Sequence, residues 1–342
     1  MMGFRSLGAS AALVASLVAS GLAAPFTAAQ AQGTARLSYH WGPDHESAKM
    51  AKKFADEVTA RSKGRLKIDV FPSGQLFTIR QIIGALSAGS VEMGGVVTHN
   101  QLAAIEKDWN VFQLPNFWES IEQQREFMRK SPEGKAMRER ALAKSKVVHL
   151  AYVPVGPYVT FTMKRDMNSV ASMEGLKARS LAASERPGLV ARGMSVVSVS
   201  TEQVYTALQS GMIDTLATVP TAVKAYSWWD HLKFAQTPYA VYADSELMAN
   251  AGWFGSLPKD LQDLLLAVGR EISVQATEGT MAGNAAALRE MVEKHGGKVT
   301  ELKGAELEAI RKLDREKTEP ELAKMMSPEI LAAARRFVGR PQ

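Results

Sequence analysis

The stretch "QVYTALQSGMID", residues 203–214, has a near copy at residues 81–92, "QIIGALSAGSVE". Two positions keep their chemical character, Val91 with Ile213 and Glu92 with Asp214, and four are identical. The identical pairs are Gln81 and Gln203, Ala85 and Ala207, Leu86 and Leu208, and Gly89 and Gly211. Short alanine-rich helices can resemble one another through composition alone. The alternative is that the chain builds two lobes of similar design with a binding space between them.

Both copies carry the signals of a helix followed by a strand. Thr78 lies three residues before Gln81, and Ser200 lies three residues before Gln203, so each copy opens with a capping box. A glycine that can adopt a left-handed turn follows each helix, and an apolar strand comes next. The repeat therefore predicts a strand–helix–strand unit in each lobe.

The N-terminus predicts export. Residues 1–31 hold one charge, Arg5, then an apolar run, and they end in "AQA" at residues 29–31, which is the pattern of a secretory signal peptide. A membrane anchor is the alternative, but the run is rich in Ala, Ser and Gly, and we find no other stretch apolar enough to span a bilayer. The chain has no cysteine, which excludes a lipidated N-terminal Cys, disulfides and thiolate metal sites. We expect cleavage after Ala31 and a mature protein in the bacterial periplasm.

Composition argues against some partners. The formal net charge is +6, with both signs mixed along the chain, and we find no basic tract with interleaved aromatic residues. Nucleic acid is therefore not an expected partner. The modest positive balance is compatible with an anionic ligand.

Strand and helix patterns alternate through the chain. Segments such as "RLKIDVF" and "VEMGGVV" read as strands, and "ESAKMAKKFADEVTARS" reads as an amphipathic helix, which together predict α/β lobes with mostly parallel sheets. Prolines 154 and 157 and Gly156 interrupt the pattern and predict a crossing between lobes, with a return crossing near residues 243–250. We assign residues 32–155 and 245–283 to lobe I, and residues 156–244 and 284–342 to lobe II.

One predicted helix is too long for a single lobe. No proline occurs between Pro258 and His295, and a "GG" stop follows at residues 296–297. An unbroken helix of this length would span about 57 Å and would brace both lobes. A break near "EGTMAGN" would instead give two ordinary helices.

The sequence resembles the extracytoplasmic solute receptors of tripartite ATP-independent periplasmic (TRAP) transporters, the DctP-like family. The resemblance extends from Leu37 to about Leu313. It rests on "FADEVTARSKGRLKIDVFPSGQL", "SMEGLKARS", "EQVYTALQSGMID" and "NAGWFGSLPKDLQ" in the family's order and spacing. It implies an α/β fold, a two-lobed periplasmic binding protein of type II-like build with a long bracing helix. It also implies a receptor that captures a small organic carboxylate and delivers it to the small and large integral membrane subunits.

The strand-end rule selects candidate ligand contacts. Ligands of open α/β sheets bind outside the carboxyl ends of the strands. Here this rule selects His40, Trp41, residues 98–100, Arg179 and residues 217–219. A lone arginine is ordinarily a solvated surface charge. The resemblance implies a different role for Arg179, because the last residue of "GLKAR" matches the family's carboxylate-binding arginine.

Two departures from the family pattern bear on the ligand. Many relatives carry a second arginine where this chain has Tyr158, and an asparagine where it has Thr218. Together with Trp41 and Phe77, these residues favour a monocarboxylate with an apolar or aromatic body over a C4-dicarboxylate. The predicted ligand contacts are Arg179, Tyr158, Thr218, Trp41, Thr98 and Phe77. Each aromatic residue could instead belong to the core, and for Trp228 and Trp229 we expect packing.

The sequence shows no pattern of an enzyme. Its histidines lack HExxH spacing, and we find no G-x-S-x-G elbow in the mature chain, no P-loop and no G-x-G-x-x-G. We therefore expect no catalytic residues, no cofactor and no metal. Two alternatives remain: a ligand-sensing protein that serves a signalling partner, and an exported hydrolase with dispersed catalytic residues. Neighbouring genes for membrane subunits would favour transport, a neighbouring sensor kinase would favour sensing, and turnover of a ligand would favour an enzyme.

Overall fold

Two separate β-sheets organise the chain, as the repeated unit predicts. The computed structural model describes residues 33–238 and 241–340, so the predicted signal peptide at residues 1–31 lies outside the described residues. The strands are β1 (Gly33–Ser38), β2 (Leu66–Phe71), β3 (Met93–Val97), β4 (Val147–Tyr152), β5 (Gly156–Pro157), β6 (Val159–Thr162), β7 (Lys177–Ser180), β8 (Ser195–Ser198), β9 (Thr215–Thr218), β10 (Phe234–Thr237), β11 (Tyr242–Ala243), β12 (Ser245–Asn250) and β13 (Lys298–Glu301).

Helices connect these strands and cover the sheets. The α-helices are α1 (Glu46–Arg61), α2 (Ile82–Ser87), α3 (Thr98–Gln101), α4 (Ile121–Lys130), α5 (Pro132–Ser145), α6 (Arg186–Ala191), α7 (Val204–Gln209), α8 (Pro220–Ala225), α9 (Ala251–Ser256), α10 (Lys259–His295), α11 (Gly304–Leu313), α12 (Glu319–Ala323) and α13 (Pro328–Phe337). Short 3₁₀ turns lie at Lys107–Gln113, Ala171–Met173, Ala183–Glu185, Thr201–Gln203 and Trp228–Asp230, and one π-helical turn at Asp314–Thr318.

The first lobe is built on a five-stranded sheet in the order β2-β1-β3-β12-β4. Strands β1, β2 and β3 are parallel, and β12 runs antiparallel to both β3 and β4. Every residue of β3 is buried, as expected for a strand covered on both faces. The second lobe holds a six-stranded sheet in the order β13-β10-β6-β9-β7-β8.

The repeated stretch is the same device in each lobe. The Gln81 side chain accepts a hydrogen bond from the Thr78 backbone N–H at 3.0 Å, and Ser200 and Gln203 form the equivalent capping box. Gly89 and Gly211 follow the two short helices with φ of 71° and 68°. Helix α2 then leads to β3, and α7 leads to β9. The predicted helix–glycine–strand order is confirmed in both copies.

The two crossings between lobes pair with each other. Strand β5 follows the predicted break at residues 154–157 and pairs antiparallel with β11, with Tyr242 opposite Pro157 and Ala243 opposite Gly156. The return crossing is shorter than predicted, because the residues after Asp244 form β12 within the first sheet. The sequence of β12 does not alternate between polar and apolar residues, because both faces of the strand are covered.

Helix α10 is unbroken over 37 residues, about 55 Å, which confirms the predicted brace. Its N-terminal half packs Leu265 and Ile272 into the core of the first lobe. Met291, near its C-terminal end, packs into the core of the second lobe. The helix therefore belongs to both lobes.

Asn284 ties helix α10 to the crossing and to the second lobe. Its Nδ2 donates to the Val155 carbonyl at 3.0 Å, and its Oδ1 accepts from the Thr221 backbone N–H at 3.1 Å. Gly156 has a φ of 123°, and a Cβ there would lie 2.3 Å from Asn284 Nδ2. The crossing therefore requires glycine at this position for both conformation and space.

The end of the chain packs with the first lobe. Residues 284–342 were expected in lobe II, and β13 lies in the second sheet, but Leu322, Met326 and Ile330 lie in the same buried cluster as Trp109 and Phe127. Helix α13 packs against α5 and the Lys107–Gln113 turn. An amphipathic helix can bury its apolar face on either lobe, and the sequence pattern does not choose between them.

Candidate functional site

An interlobe cavity lies where strands of both sheets end. Trp41 follows β1 and Val97 ends β3, while Leu181 follows β7 and Thr218 ends β9, and all four residues line this cavity. Strands β1 and β3 are parallel, as are β7 and β9, so each sheet presents carboxyl ends to the same space. This placement follows the rule for ligand sites of open α/β sheets.

Arg179 is buried in the wall of the cavity and held in a fixed orientation. It is 6% exposed. Its Nε donates to the Val199 carbonyl at 3.0 Å, and its Nη2 donates to Thr201 Oγ1 at 3.0 Å. Nη1 makes no hydrogen bond within the described residues. The protein therefore orients the guanidinium and leaves part of its donor edge for another group.

No salt bridge joins Arg179 to a carboxylate within residues 33–238 and 241–340, where its side chain bonds to Val199 and Thr201. Burial lowers the pKa of the guanidinium, and the nearby Glu185 carboxylate opposes that shift. Glu185 is already bound elsewhere: it accepts from the Leu181 backbone N–H at 2.7 Å and from Asn100 Nδ2 at 3.3 Å. An arginine stays protonated in proteins, so this site holds a desolvated cation that an anion would stabilise.

Tyr158 and Arg179 line a second cavity as well as this one. The second cavity extends past Glu185 toward Leu189 and Ile310. The Tyr158 hydroxyl lies 3.2 Å from His99 Nε2, and the two rings pack edge to face at 5.3 Å. Burial raises the pKa of Tyr158, so its hydroxyl remains neutral and can donate or accept a hydrogen bond.

Aromatic rings form much of the remaining wall. Trp41 and Trp228 are 2% and 1% exposed, and both line the cavity together with Tyr226. The Tyr226 and Trp228 rings stack at 5.0 Å with an interplanar angle of 15°. Trp228 lies in the core, as expected, and also borders the cavity. The cavity therefore presents a flat apolar surface beside a single buried cation.

Two of the predicted contacts do not line the cavity. Thr98 begins helix α3, and its Oγ1 donates to the Asp244 carbonyl at 3.3 Å, so its hydroxyl is used by the crossing. Phe77 packs against the helical core of the first lobe. The structure brings Arg179, Tyr158, Thr218 and Trp41 together at this cavity, whereas Thr98 and Phe77 lie elsewhere.

Several lining residues were not among the predicted contacts, and His45 and Tyr226 are two of them. His45 lies one loop after β1 and caps helix α1, and Tyr226 follows helix α8. Extending the strand-end rule through the whole loop after β1 would have found His45. Tyr226 lies beyond a helix that follows β9, and no sequence signal that we used reaches that far.

Hydrogen bonds join the two lobes across the cleft. The Tyr226 hydroxyl accepts from the Gly42 backbone N–H at 3.0 Å and donates to the His40 carbonyl at 2.9 Å. Arg80 Nη2 donates to Ser198 Oγ at 2.8 Å on another side of the cleft. The cavity is thus closed over by contacts between the lobes.

Neither a metal site nor a membrane-spanning helix is found in the part of the chain that the structure describes. No group of three or more His, Cys, Asp or Glu side chains among them is arranged to hold a metal ion. Across the same part of the chain, no helix has the length and apolar character needed to span a bilayer.

Two α/β lobes, joined by paired crossings and closed around a cavity at their strand ends, define a solute-binding protein. The chain belongs to the DctP family, described as bacterial extracellular solute-binding protein, family 7, whose profile matches residues 37–327. The resemblance drawn from the sequence motifs is therefore confirmed, as is the fold class.

Similar proteins are found in several bacteria. The chain is 24% identical over 312 residues to the 2,3-diketo-L-gulonate-binding periplasmic protein YiaO of Escherichia coli, covering 87% of each chain. A sugar acid binding protein from Advenella mimigardefordensis, solved with galactonate, superimposes with a TM-score of 0.83 at 21% identity over 90% of this chain and 98% of that one. A Bordetella pertussis extracytoplasmic solute receptor that binds pyroglutamic acid superimposes with a TM-score of 0.80 at 20% identity. The match covers 88% of this chain and 99% of that one.

Proposed function

We propose that this protein is the periplasmic receptor of a TRAP transporter and that it captures a small organic carboxylate in the interlobe cavity. The observation that carries the proposal is Arg179: a buried, oriented guanidinium without an ion-pair partner among the described residues, in the wall of a closed cavity. A ligand carboxylate would accept from the free edge of the guanidinium and offset its desolvation.

The lining residues favour one carboxylate rather than two. Among the described residues that line the cavity, Arg179 alone carries a full charge, because burial lowers the pKa of both His40 and His45 and keeps them neutral. A second ligand carboxylate would be buried without a cation. The rings of Trp41 and Trp228 suit an apolar or aromatic body instead.

The relatives named above bind compounds of the expected class. Their names or structures specify 2,3-diketo-L-gulonate, galactonate and pyroglutamic acid, each of which carries one carboxyl group. For this chain we propose export through a signal peptide at residues 1–31. We also propose delivery of the ligand, chemically unchanged, to the small and large integral membrane subunits. Mass spectrometry of periplasmic protein should find an N-terminus at Gln32, and an intact Met1 in the membrane fraction would contradict export.

A thermal-shift screen against small carboxylates tests the proposal. Ligand at one hundred times its Kd should stabilise the native state by about 2.7 kcal/mol, which for a protein of this size raises Tm by roughly 5–10 °C. Monocarboxylates should outrank succinate and fumarate. Strong stabilisation by C4-dicarboxylates alone would contradict the single-carboxylate site, and no response to any carboxylate would contradict the receptor assignment.

A further inference from the structure

His45 is locked into the wall of the cavity by the chain around it. It is 1% exposed, and its ring stacks on Trp41 with centroids 6.0 Å apart and an interplanar angle of 12°. Its Nδ1 accepts a hydrogen bond from the Ser47 backbone N–H at 3.1 Å and thereby caps helix α1. Neither the position nor the rotation of the ring is free to adjust to a ligand.

The cap fixes which ring nitrogen carries the proton. A backbone N–H can only donate, so Nδ1 must present its lone pair to Ser47. Burial lowers the pKa of His45 to about 3, so the ring is neutral near pH 7. A neutral imidazole with an unprotonated Nδ1 carries its hydrogen on Nε2. Nε2 is therefore a hydrogen-bond donor.

This donor is buried and unused. Nε2 of His45 makes no hydrogen bond within the described part of the chain, although it is shielded from solvent. A buried donor without a partner destabilises a folded protein, and such groups are rare unless a water or ligand completes them. His45 lines the same cavity as Arg179, and each comes from a different lobe.

We propose that His45 is a specificity-determining ligand contact that donates from Nε2 to an oxygen of the ligand other than the carboxylate held by Arg179. The ligand class is then a carboxylic acid that carries a hydroxyl, keto or ring carbonyl oxygen, rather than a plain alkyl or aryl acid. This inference rests on the proposed function, since it takes Arg179 as the carboxylate anchor. His40 offers a second polar atom to the ligand, because its buried Nδ1 is also without a partner among the described residues.

Matched acids that differ only in one oxygen test this inference. Isothermal titration calorimetry on the purified protein would compare lactate with propionate, 3-phenyllactate with 3-phenylpropionate, and pyroglutamate with cyclopentanecarboxylate. For at least one pair, wild-type protein should bind the oxygenated acid at least tenfold more tightly. The absence of a preference in every pair would overturn the inference.

The matched variant is His45→Asn. Asparagine is a good helix cap, so its Oδ1 can replace Nδ1 in accepting from Ser47, while its shorter side chain ends before the position of Nε2. The variant should reduce the preference for the oxygenated acid to under threefold, whatever its effect on the affinity for the oxygen-free acid. A preference that survives in His45→Asn would overturn the role of His45.

Arg179→Ala distinguishes the two proposals. It should weaken both members of each pair by a similar factor. If wild type binds carboxylates through Arg179 but His45→Asn keeps the preference, the receptor proposal stands and the His45 inference fails. If no acid of any pair binds, both fail.

A measurement on wild-type protein tests the inference without requiring that a variant folds. Long-range proton–nitrogen NMR spectra of ¹⁵N-histidine-labelled protein should show His45 as the Nε2–H tautomer. Its Nε2 resonance should shift on addition of the oxygenated acid and not of its oxygen-free partner. An Nδ1–H tautomer, or an Nε2 resonance that does not shift on addition of the oxygenated acid, would overturn the inference.

Discussion

The Tyr226 hydroxyl of the second lobe accepts a hydrogen bond from the Gly42 backbone N–H of the first lobe at 3.0 Å. The same hydroxyl donates to the His40 carbonyl at 2.9 Å. One side chain therefore bonds to two backbone groups of the loop that follows β1. That loop also carries Trp41 and His45 into the cavity. The contact between the lobes and the loop that lines the candidate ligand site therefore meet at Tyr226.

Tyr226→Phe should weaken ligand binding by about 1–3 kcal/mol, because it removes two hydrogen bonds of roughly 0.5–1.5 kcal/mol each. These bonds form between the lobes, so the loss should appear mainly as faster dissociation. Stopped-flow kinetics with 3-phenyllactate would measure it. Tyr205→Phe is the control, because the Tyr205 hydroxyl bonds Asp230 within the second lobe.

Small-angle scattering extends this test. Ligand should reduce the radius of gyration of wild-type protein by closing the lobes, and Tyr226→Phe should need more ligand for the same change. A profile that does not respond to saturating ligand would contradict a hinged receptor. Equal dissociation rates for Tyr226→Phe and wild type would contradict the link between closure and Tyr226.

Gly156→Ala should destabilise the protein by about 2–5 kcal/mol, the sum of backbone strain and of crowding against Asn284. Gly175→Ala is the comparison for a positive-φ glycine without crowding. Gly175 also has a positive φ, 75°, but a Cβ there would meet no atom within 4 Å, so it should lose only about 1–2 kcal/mol. Urea unfolding of both variants measures the difference. Equal losses would show that contact with Asn284 does not restrict the crossing.

The buried imidazole of His99 should make the protein sensitive to acid. Burial lowers the pKa of His99 to about 4, whereas an unfolded histidine titrates near 6.5. The unfolded state therefore gains protons that the native state does not. The stability contributed by the neutral ring is fully present above about pH 6.5 and is lost as the pH falls toward 4.

Between pH 7 and pH 5 this single group should remove about 2 kcal/mol of stability. Over the same pH interval the His99→Gln variant should lose less stability than wild type. The difference between the two losses should be about that amount. Comparing the pH dependence within each protein cancels the direct effect of losing the contact with Tyr158. Parallel pH profiles for the two proteins would contradict the shifted pKa.

The sequence predicted the position of the candidate site at the strand ends better than it predicted which side chains line it. Parallel strands end at one edge of a sheet, and this rule selected Arg179, Trp41 and residues 217–219 from the sequence. Thr98 has the right position along the chain, but the turn into α3 directs its hydroxyl to Asp244. Side-chain direction at a strand end depends on the backbone that follows, which a strand-end rule does not describe.

The long-range parts of the structure were less predictable. Helix α13 has an apolar face that fits any exposed core, and only the cluster around Trp109 and Phe127 decides that it covers the first lobe. Arg192 shows the same limit. Its guanidinium pairs with buried Asp314 at 2.8 Å, a partner 122 residues away that the local sequence does not indicate. Arg186 on α6 is exposed and therefore suits a control variant.

Calorimetry with 3-phenyllactate and pyroglutamate decides whether Arg179 anchors the ligand carboxylate. Arg179→Ala should weaken binding by about 2–5 kcal/mol, and Arg179→Lys should restore only part of the loss, because an ammonium keeps the charge without the planar fork. Arg186→Ala should bind as wild type does. If Arg179→Ala binds these acids within threefold of wild type, Arg179 is not the anchor and the account is wrong.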